Sequence, residues 1–298
     1  MKQLNQVISF LLIGLLLSAC SQENDLSTEV APVVQEDIAL LKHQLPNPLL
    51  DNSTEGLYHG VVASTTTQMR GKIWVNVANN SHFNALVELV DGPAIEFRLD
   101  PDSVEETETM TLFEFQSTQG SFTLDITLPE SPVISNIVFL NEAFSGLIVK
   151  SLSTNRASAN TATFSETGNP SFSGTWSFIA DGSLPNPNGN NGDGITSLLI
   201  TIDGDSYQDS VFDTFNATDC LGISEYVPTL NSFGLSGYTI SDYQTSEFAD
   251  GIAKWYLSFD AFNSQYMNYL FCETATAGTF EWTSEDATIT RIGVITLD

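Results

Sequence analysis

From Gly56 onward the sequence consists of short runs rich in Val, Ile, Phe, Thr and Tyr, separated by clusters of Gly, Asn, Asp and Pro. Such runs are typical of β-strands bounded by turns. In GKIWVNV, for example, Ile73, Val75 and Val77 fall on one face of the strand. Alternation of apolar and polar residues along a strand favours antiparallel sheets, in which one face packs on a core and the other faces solvent. The sequence therefore predicts an all-β fold of antiparallel sheets, arranged as a sandwich or a barrel.

One stretch interrupts this pattern. Residues 183–194, SLPNPNGNNGDG, are rich in Asn, Gly and Pro and cannot build a core, so they form either a domain linker or a long loop. We interpret them as a linker between two β-rich domains, 56–182 and 195–298. Ahead of these domains, residues 20–55 are mostly polar and predict a flexible tether, in which residues 35–45 favour a short amphipathic helix.

The first residues have the features of an export signal. Lys2 precedes an apolar run, residues 7–17, which is shorter than the ~20 apolar residues of a membrane-spanning helix. The run ends in LSAC, residues 17–20, which resembles the lipobox of bacterial lipoproteins. The resemblance implies that residues 1–19 are a signal peptide and that Cys20 carries the lipid. The alternative is an ordinary secretory signal with an incidental cysteine.

The residues after Cys20, SQEND, are similar to the short acidic export signal of surface lipoproteins of Bacteroidota. The Thr-, Asn- and Gly-rich β segments that follow also resemble exported proteins of that group. The resemblance implies acylation, palmitate included, and anchoring in the outer membrane, on the cell surface rather than on its periplasmic face. Two or more acyl chains suffice for stable anchoring. The resemblance implies no activity.

Charge and cysteine content narrow the choice of partners. The 298 residues include 9 Lys and Arg against 37 Asp and Glu, a net charge of −28, which excludes the basic footprint of a nucleic-acid-binding protein.

With Cys20 assigned to lipid, Cys220 and Cys272 form an even pair in an exported chain. A disulfide between them is expected, and two free buried thiols are the alternative.

The sequence nominates no catalytic residue. It contains no G-x-S-x-G, H-E-x-x-H or P-loop motif. His59 and His82 lie in or beside predicted strands, which favours half-buried or surface positions. Paired carboxylates perform glycoside hydrolysis, but 37 acidic residues give no basis for choosing one pair.

Oxygen-rich turns are candidate calcium sites, because Ca²⁺ prefers carboxylate and carbonyl ligands on flexible loops. The acidic run 100–108 is one such turn, and the region around residues 183–209 is another; solvated acidic turns are the alternative. The candidate ligands are Asp181, Asp193, Asp203 and Asp205. No other cofactor is expected.

Aromatic residues suggest a binding surface. Trp255 and Tyr256 are adjacent on a predicted strand, where an exposed ring beside acidic residues could stack on a sugar. The alternative for Trp is the core, since such large rings bury well. These features together predict a membrane-anchored, non-catalytic binding or structural module for an extracellular carbohydrate or protein. A secreted, glycosidase-like hydrolase with paired carboxylates is the alternative function.

Overall fold

The structure, a computed structural model, describes residues 38–100, 111–154, 156–180, 192–218, 237–240, 244–260 and 278–298. It contains two short 3₁₀ helices, η1 (Ile38–His43) and η2 (Pro48–Leu50). Eight strands follow: β1 (Gly56–Ser64), β2 (Arg70–Val77), β3 (Phe83–Leu89), β4 (Ala94–Leu99), β5 (Leu112–Ser117), β6 (Gly120–Asp125), β7 (Val133–Phe139) and β8 (Glu142–Ser151). The remaining strands are β9 (Ser158–Asn160), β10 (Ala162–Glu166), β11 (Asn169–Ala180), β12 (Gly192–Ile202), β13 (Asp205–Thr218), β14 (Gly237–Ile240), β15 (Gln244–Phe248), β16 (Gly251–Asp260), β17 (Gly278–Ser284) and β18 (Thr290–Leu297). The predicted all-β class is confirmed.

Strands β1–β8 form a closed antiparallel barrel, in which each strand pairs with the next and β8 returns to pair with β1. The two closing strands come very close at Gly60. A Cβ added there would lie 2.2 Å from the main-chain oxygen of Leu147, so this approach requires glycine. The barrel interior is filled largely by buried phenylalanine rings: Phe97, Phe113, Phe115, Phe122, Phe139 and Phe144.

Burial along the strands follows the two-residue period expected of a half-exposed sheet. In β4, Ile95 and Phe97 are buried, whereas Glu96 between them is exposed. Strand β1 departs from this rule and is buried at nearly every position. The reason is that its outer face is covered as well, by strands that belong to the second sheet.

Strands β9–β18 form a ten-stranded antiparallel sheet in the order β10-β18-β17-β16-β14-β13-β12-β11-β9, with β15 paired to β16. Because β10 also pairs with β11, hydrogen-bonded neighbours continue around this sheet as a ring. The core that it encloses is aromatic, and its most deeply buried rings are Phe164, Trp176, Phe178, Phe248, Trp255 and Phe280.

The outer wall of the barrel packs against the second sheet. Val61 and Ala63, which point away from the barrel interior, contact a cluster formed by Ala159, Ile179 and Leu199. Neighbouring residues on β12 face the opposite way, into the core of the second sheet. The two sheets therefore share a layer of small aliphatic side chains.

The change from one sheet to the other does not fall at the predicted linker. Strand β11 pairs with β12 in register, for example Phe178 with Leu198, so the two strands on either side of residues 181–191 are hydrogen-bonded neighbours. The change falls between β8 and β9 instead. Residues 158–180, assigned from the sequence to the first half, belong to the second sheet; residues 183–191 lie outside the described part.

The end of the predicted tether is packed rather than free. Ile38 and Leu41 of η1 are each only 1% exposed and contact Leu57 and Leu86 on the barrel. Farther on, the Lys150 ammonium donates to the main-chain oxygen of Leu50 at 2.6 Å. The helix predicted within residues 35–45 is present as a 3₁₀ helix, held by these apolar contacts.

Candidate functional site

Several predicted site residues lie outside the described part of the chain. They are the lipid-attachment residue Cys20, both members of the expected disulfide, Cys220 and Cys272, and the candidate calcium ligand Asp181. Most of the acidic run 100–108 lies outside as well. The roles assigned to these residues therefore stay predictions.

The other candidate calcium ligands do not come together. Asp193 lies near the start of β12, whereas Asp203 is in the turn after the far end of β12 and Asp205 begins β13. Ten residues of extended strand separate Asp193 from Asp203, a distance of roughly 30 Å, so one ion cannot bind both. The turn itself is a tight Asp203-Gly204 hairpin with φ of 52° and 96° at these two residues. The turn geometry thus accounts for an Asp at position 203.

The structure corrects the interpretation of Trp255 as a ligand-stacking residue. Its ring is fully buried in the core of the second sheet, at 5.8 Å from that of Trp176. The indole Nε1 donates to Ser246 Oγ at 2.9 Å, which satisfies its one polar group inside the core. Tyr256 follows it on β16, and its side chain lies outside the described part.

A different surface provides a candidate site. A cleft of about 290 Å³ lies where η1, strands β1–β3 and the β8–β9 connection meet. This volume is near the lower end of the ~300–1,000 Å³ typical of ligand pockets. The charged and aromatic side chains that line it include Lys42, His59, Trp74, Glu88 and Arg156.

A stacked aromatic pair forms the wall of the cleft. His59 on β1 and Trp74 on β2 are register partners, so both project from the outer face of the barrel. Their ring centroids are 4.9 Å apart, and the ring planes differ by 22°. The other contacts of Trp74 are with the apolar cluster beneath η1. The pair is thus held by the barrel on one side and by η1 on the other.

His59 has a defined tautomer. Its Nδ1 lies 3.2 Å from the main-chain oxygen of Ala157, and because a carbonyl oxygen only accepts, Nδ1 carries the proton. Nε2 is then an acceptor, and it is buried without a hydrogen-bond partner. Burial is the main cause that lowers the pKa of His59 to about 3, and the nearby charges of Lys72 and Arg156 lower it further. The ring is therefore neutral at physiological pH.

The β8–β9 connection that carries Arg156 is fixed at both ends. Near its start, Asp51 accepts from the Ser153 main-chain N at 2.9 Å and from its hydroxyl at 2.5 Å. These hydrogen bonds lower the pKa of Asp51. Near its end, the main-chain N of Ala157 donates to Ser151 Oγ at 3.2 Å. Arg156 is exposed on this braced loop and makes no ion pair or hydrogen bond with the described residues.

The remaining charges of the cleft compensate each other. Lys42 on η1 pairs with Glu88 on β3 at 2.5 Å. Glu88 is the one carboxylate among the side chains that line the cleft. Within the described ranges there is also no group of three or more His, Cys, Asp and Glu residues that could hold a metal ion.

Sequence reasoning did not identify this cleft. It placed His59 at a half-buried or surface strand position, which the structure confirms, but gave it no partner. The signal was present in the two segments LYHGV and KIWVN, because pairing of adjacent strands brings His59 opposite Trp74. The contribution of η1 was hidden by its assignment to the tether.

Comparison with known proteins does not supply an activity: no protein-family model, curated protein or solved structure matches this chain. In the part of the chain that the structure describes, none of the helices has the length and apolar character needed to cross a bilayer.

Replacing His59 with Gln is expected to flatten the loss of stability on acidification. The folded pKa of about 3 lies below the ordinary 6.5, so the unfolded chain takes up a proton first as the pH falls. Because protonation of His59 then favours the unfolded state, the free energy of unfolding decreases as the pH falls below about 6.5. The decrease is at most ~1.4 kcal/mol per pH unit. Through His59, the wild type should lose about 1–2 kcal/mol between roughly pH 7 and pH 5, as measured by urea unfolding.

A second pair of measurements provides the control. At about pH 8 the imidazole is neutral in both states, so wild type and His59→Gln should differ there only by the change in packing. Parallel stability curves for the two proteins between roughly pH 7 and pH 5 would show that His59 is not held neutral by burial.

Proposed function

We propose that this protein is a lipid-anchored, exported binding module without catalytic activity, and that its cleft binds a carbohydrate. The observation that carries the proposal is the stacked His59–Trp74 pair, fixed on a rigid barrel wall and bordered by polar side chains. Binding sites are commonly concave surfaces of this kind, with an apolar wall and a few placed polar groups.

Carbohydrate suits this wall for a physical reason. A pyranose ring presents an apolar C–H face and a rim of hydroxyl groups, so it needs an aromatic surface next to hydrogen-bonding groups. The cleft combines the aromatic pair with Lys42, Glu88 and Arg156. The barrel holds the aromatic pair, and the Lys42–Glu88 ion pair holds two of the polar groups, so these parts of the cleft are arranged before a ligand arrives.

The same composition argues for binding rather than hydrolysis. A glycosidase uses two carboxyl groups, about 5–10 Å apart, on either side of the scissile bond. Among the lining side chains only Glu88 is a carboxylate, and its charge is engaged by Lys42. The hydrolase alternative therefore receives no support from this cleft.

The cellular location in this proposal rests on the sequence. The LSAC motif supports a lipid on Cys20, and the acidic residues behind it support display at the outer-membrane surface. The net charge of −28 argues against nucleic acid as the partner. A Cys220–Cys272 disulfide and calcium near Asp203 and Asp205 remain separate predictions.

Replacing Trp74 with Ala should weaken carbohydrate binding by about tenfold or more, since a central aromatic contact contributes ~1–2 kcal/mol or more at such sites. The full chain, purified in detergent, is screened against oligosaccharides of neutral hexoses and of uronic acids, and affinities are measured by calorimetry. Trp74→Phe keeps an aromatic face and should retain most of the affinity. The screen should yield at least one saccharide that binds wild type.

Phe83→Ala is the matched control, because it removes a partly exposed aromatic ring from β3 that does not line the cleft. It should leave the affinity unchanged. Equal affinity of wild type and Trp74→Ala for every saccharide that binds, or binding of a protein but of no saccharide, would overturn the assignment of this cleft to carbohydrate.

A further inference from the structure

The charge of the cleft is opposite to that of the chain. The sequence has 9 basic residues against 37 acidic ones, yet the cleft is lined by Lys42, Arg156 and a single carboxylate, Glu88. A third basic residue, Lys72, lies close enough to act on His59. The cleft therefore offers an approaching anion a more favourable local charge than the average over this acidic chain.

The basic residues of the cleft differ in their engagement. Lys42 is neutralised by Glu88 at 2.5 Å. Arg156 has no ion-pair or hydrogen-bond partner among the described residues, and it stands exposed on a loop braced through Ser153 and Ala157. Its guanidinium can form two parallel hydrogen bonds with a carboxylate, and binding must then order the side chain but not the flanking Ser153 and Ala157, which are already hydrogen-bonded.

A second group has an unmet hydrogen bond. His59, which lines the cleft, has its acceptor Nε2 buried without a hydrogen-bond partner. An unsatisfied buried acceptor costs about 1–3 kcal/mol, a cost that a ligand hydroxyl donating to Nε2 would relieve. Acidic sugars carry both an anionic group for Arg156 and a hydroxyl for His59, and their ring also suits the aromatic wall.

We infer that the ligand of the cleft is an acidic saccharide, with its anionic group paired to Arg156 and its ring against Trp74 and His59. This inference rests on the proposed function, because it specifies the ligand of the same cleft. The anion is either the carboxylate of a uronic acid or a sulfate ester, since a guanidinium binds both through paired oxygens.

The test compares three probes on the detergent-solubilised full chain: oligogalacturonate, the matched neutral galactose oligomer and a sulfated galactose oligomer. At least one acidic probe should bind about tenfold or more tightly than the neutral one, and its affinity should fall as salt is added. Arg156→Gln should reduce that affinity about tenfold, and Arg156→Lys should recover only part of it.

Arg98→Gln serves as the matched control, because it removes an exposed arginine from β4, which does not line the cleft. It should bind the acidic probes as the wild type does. The two acidic probes identify the source of the charge, carboxylate or sulfate.

The outcomes separate this inference from the proposed function. If the neutral probe binds as well as the acidic ones, or if Arg156→Gln and Arg98→Gln behave alike, the acidic ligand is excluded while a carbohydrate-binding cleft stands. If none of the three probes binds, both the inference and the proposed function fail for this class of sugar.

Discussion

Replacing Phe122 with Ala should destabilise the protein by about 3–5 kcal/mol, the usual range for removing a buried aromatic ring. Phe122 is 1% exposed in the barrel interior, and its ring lies 4.9 Å from that of Phe115 and 5.2 Å from that of Phe97. Because these neighbours are held by closed strands, they cannot collapse fully into the space. Urea unfolding should show the loss, and thermal unfolding should shift down by roughly 6–20 °C.

Val138→Ala is the comparison variant. Val138 lies on β7 next to the strand of Phe122, but it is 41% exposed on the outer face of the barrel. Its truncation should change stability by no more than about 0.5 kcal/mol. A cost below about 1 kcal/mol for Phe122→Ala would mean that these rings do not form a close-packed core.

Replacing Cys20 with Ala should abolish lipidation and release the protein from membranes. The Cys20 thiol is the attachment atom implied by the LSAC motif, and alanine has no thiol. Without the acyl chains the protein loses ~0.8 kcal/mol of membrane affinity for each buried methylene, so stable anchoring is lost. Labelled palmitate incorporation and fractionation of cells that express the full chain measure the two effects.

Cys220→Ala separates this effect from the loss of any cysteine. It should incorporate label and remain in the membrane fraction as the wild type does. Label retained by Cys20→Ala, or membrane association unchanged without it, would refute the lipoprotein hypothesis.

The strands could be predicted because their signal is local. The alternation in AIEFRL comes from burial of Ile95 and Phe97 on one side of β4, and it is visible without knowledge of any neighbour. Strand β1 shows the limit of that signal. The sequence GLYHGVVAS does not alternate, because its outer face is buried too, by residues about 100 positions away such as Ala159 and Ile179.

The division of the chain could not be predicted, because composition describes a connection but not what it connects. The Asn- and Gly-rich residues 183–194 are as suitable for a hairpin loop as for a linker. Composition does not show that β11 and β12 pair with each other, because the pairing of Phe178 with Leu198 is a long-range contact. The packing of Ile38 and Leu41 on the barrel could not be predicted either. Their neighbours in sequence are mostly polar, and the residues that bury them are distant in sequence.

The candidate site was the least predictable part. A tryptophan on a strand has the same sequence signature whether it faces a core or a cleft. Trp255 is buried in the core of the second sheet, whereas Trp74 lines the cleft. Arg156 gives no signal at all in the sequence, because its importance comes from the loop that holds it and the charges that surround it.

Strands β1 and β8 both close the barrel and provide part of the surface on which the second sheet packs. They pair through main-chain hydrogen bonds, and the outer side chains Val61 and Ala63 hold the second sheet. Opening this seam would expose the barrel core and, on its other side, the aliphatic layer between the two sheets. We therefore expect the stability of the barrel to depend on the strands of the second sheet that pack against it.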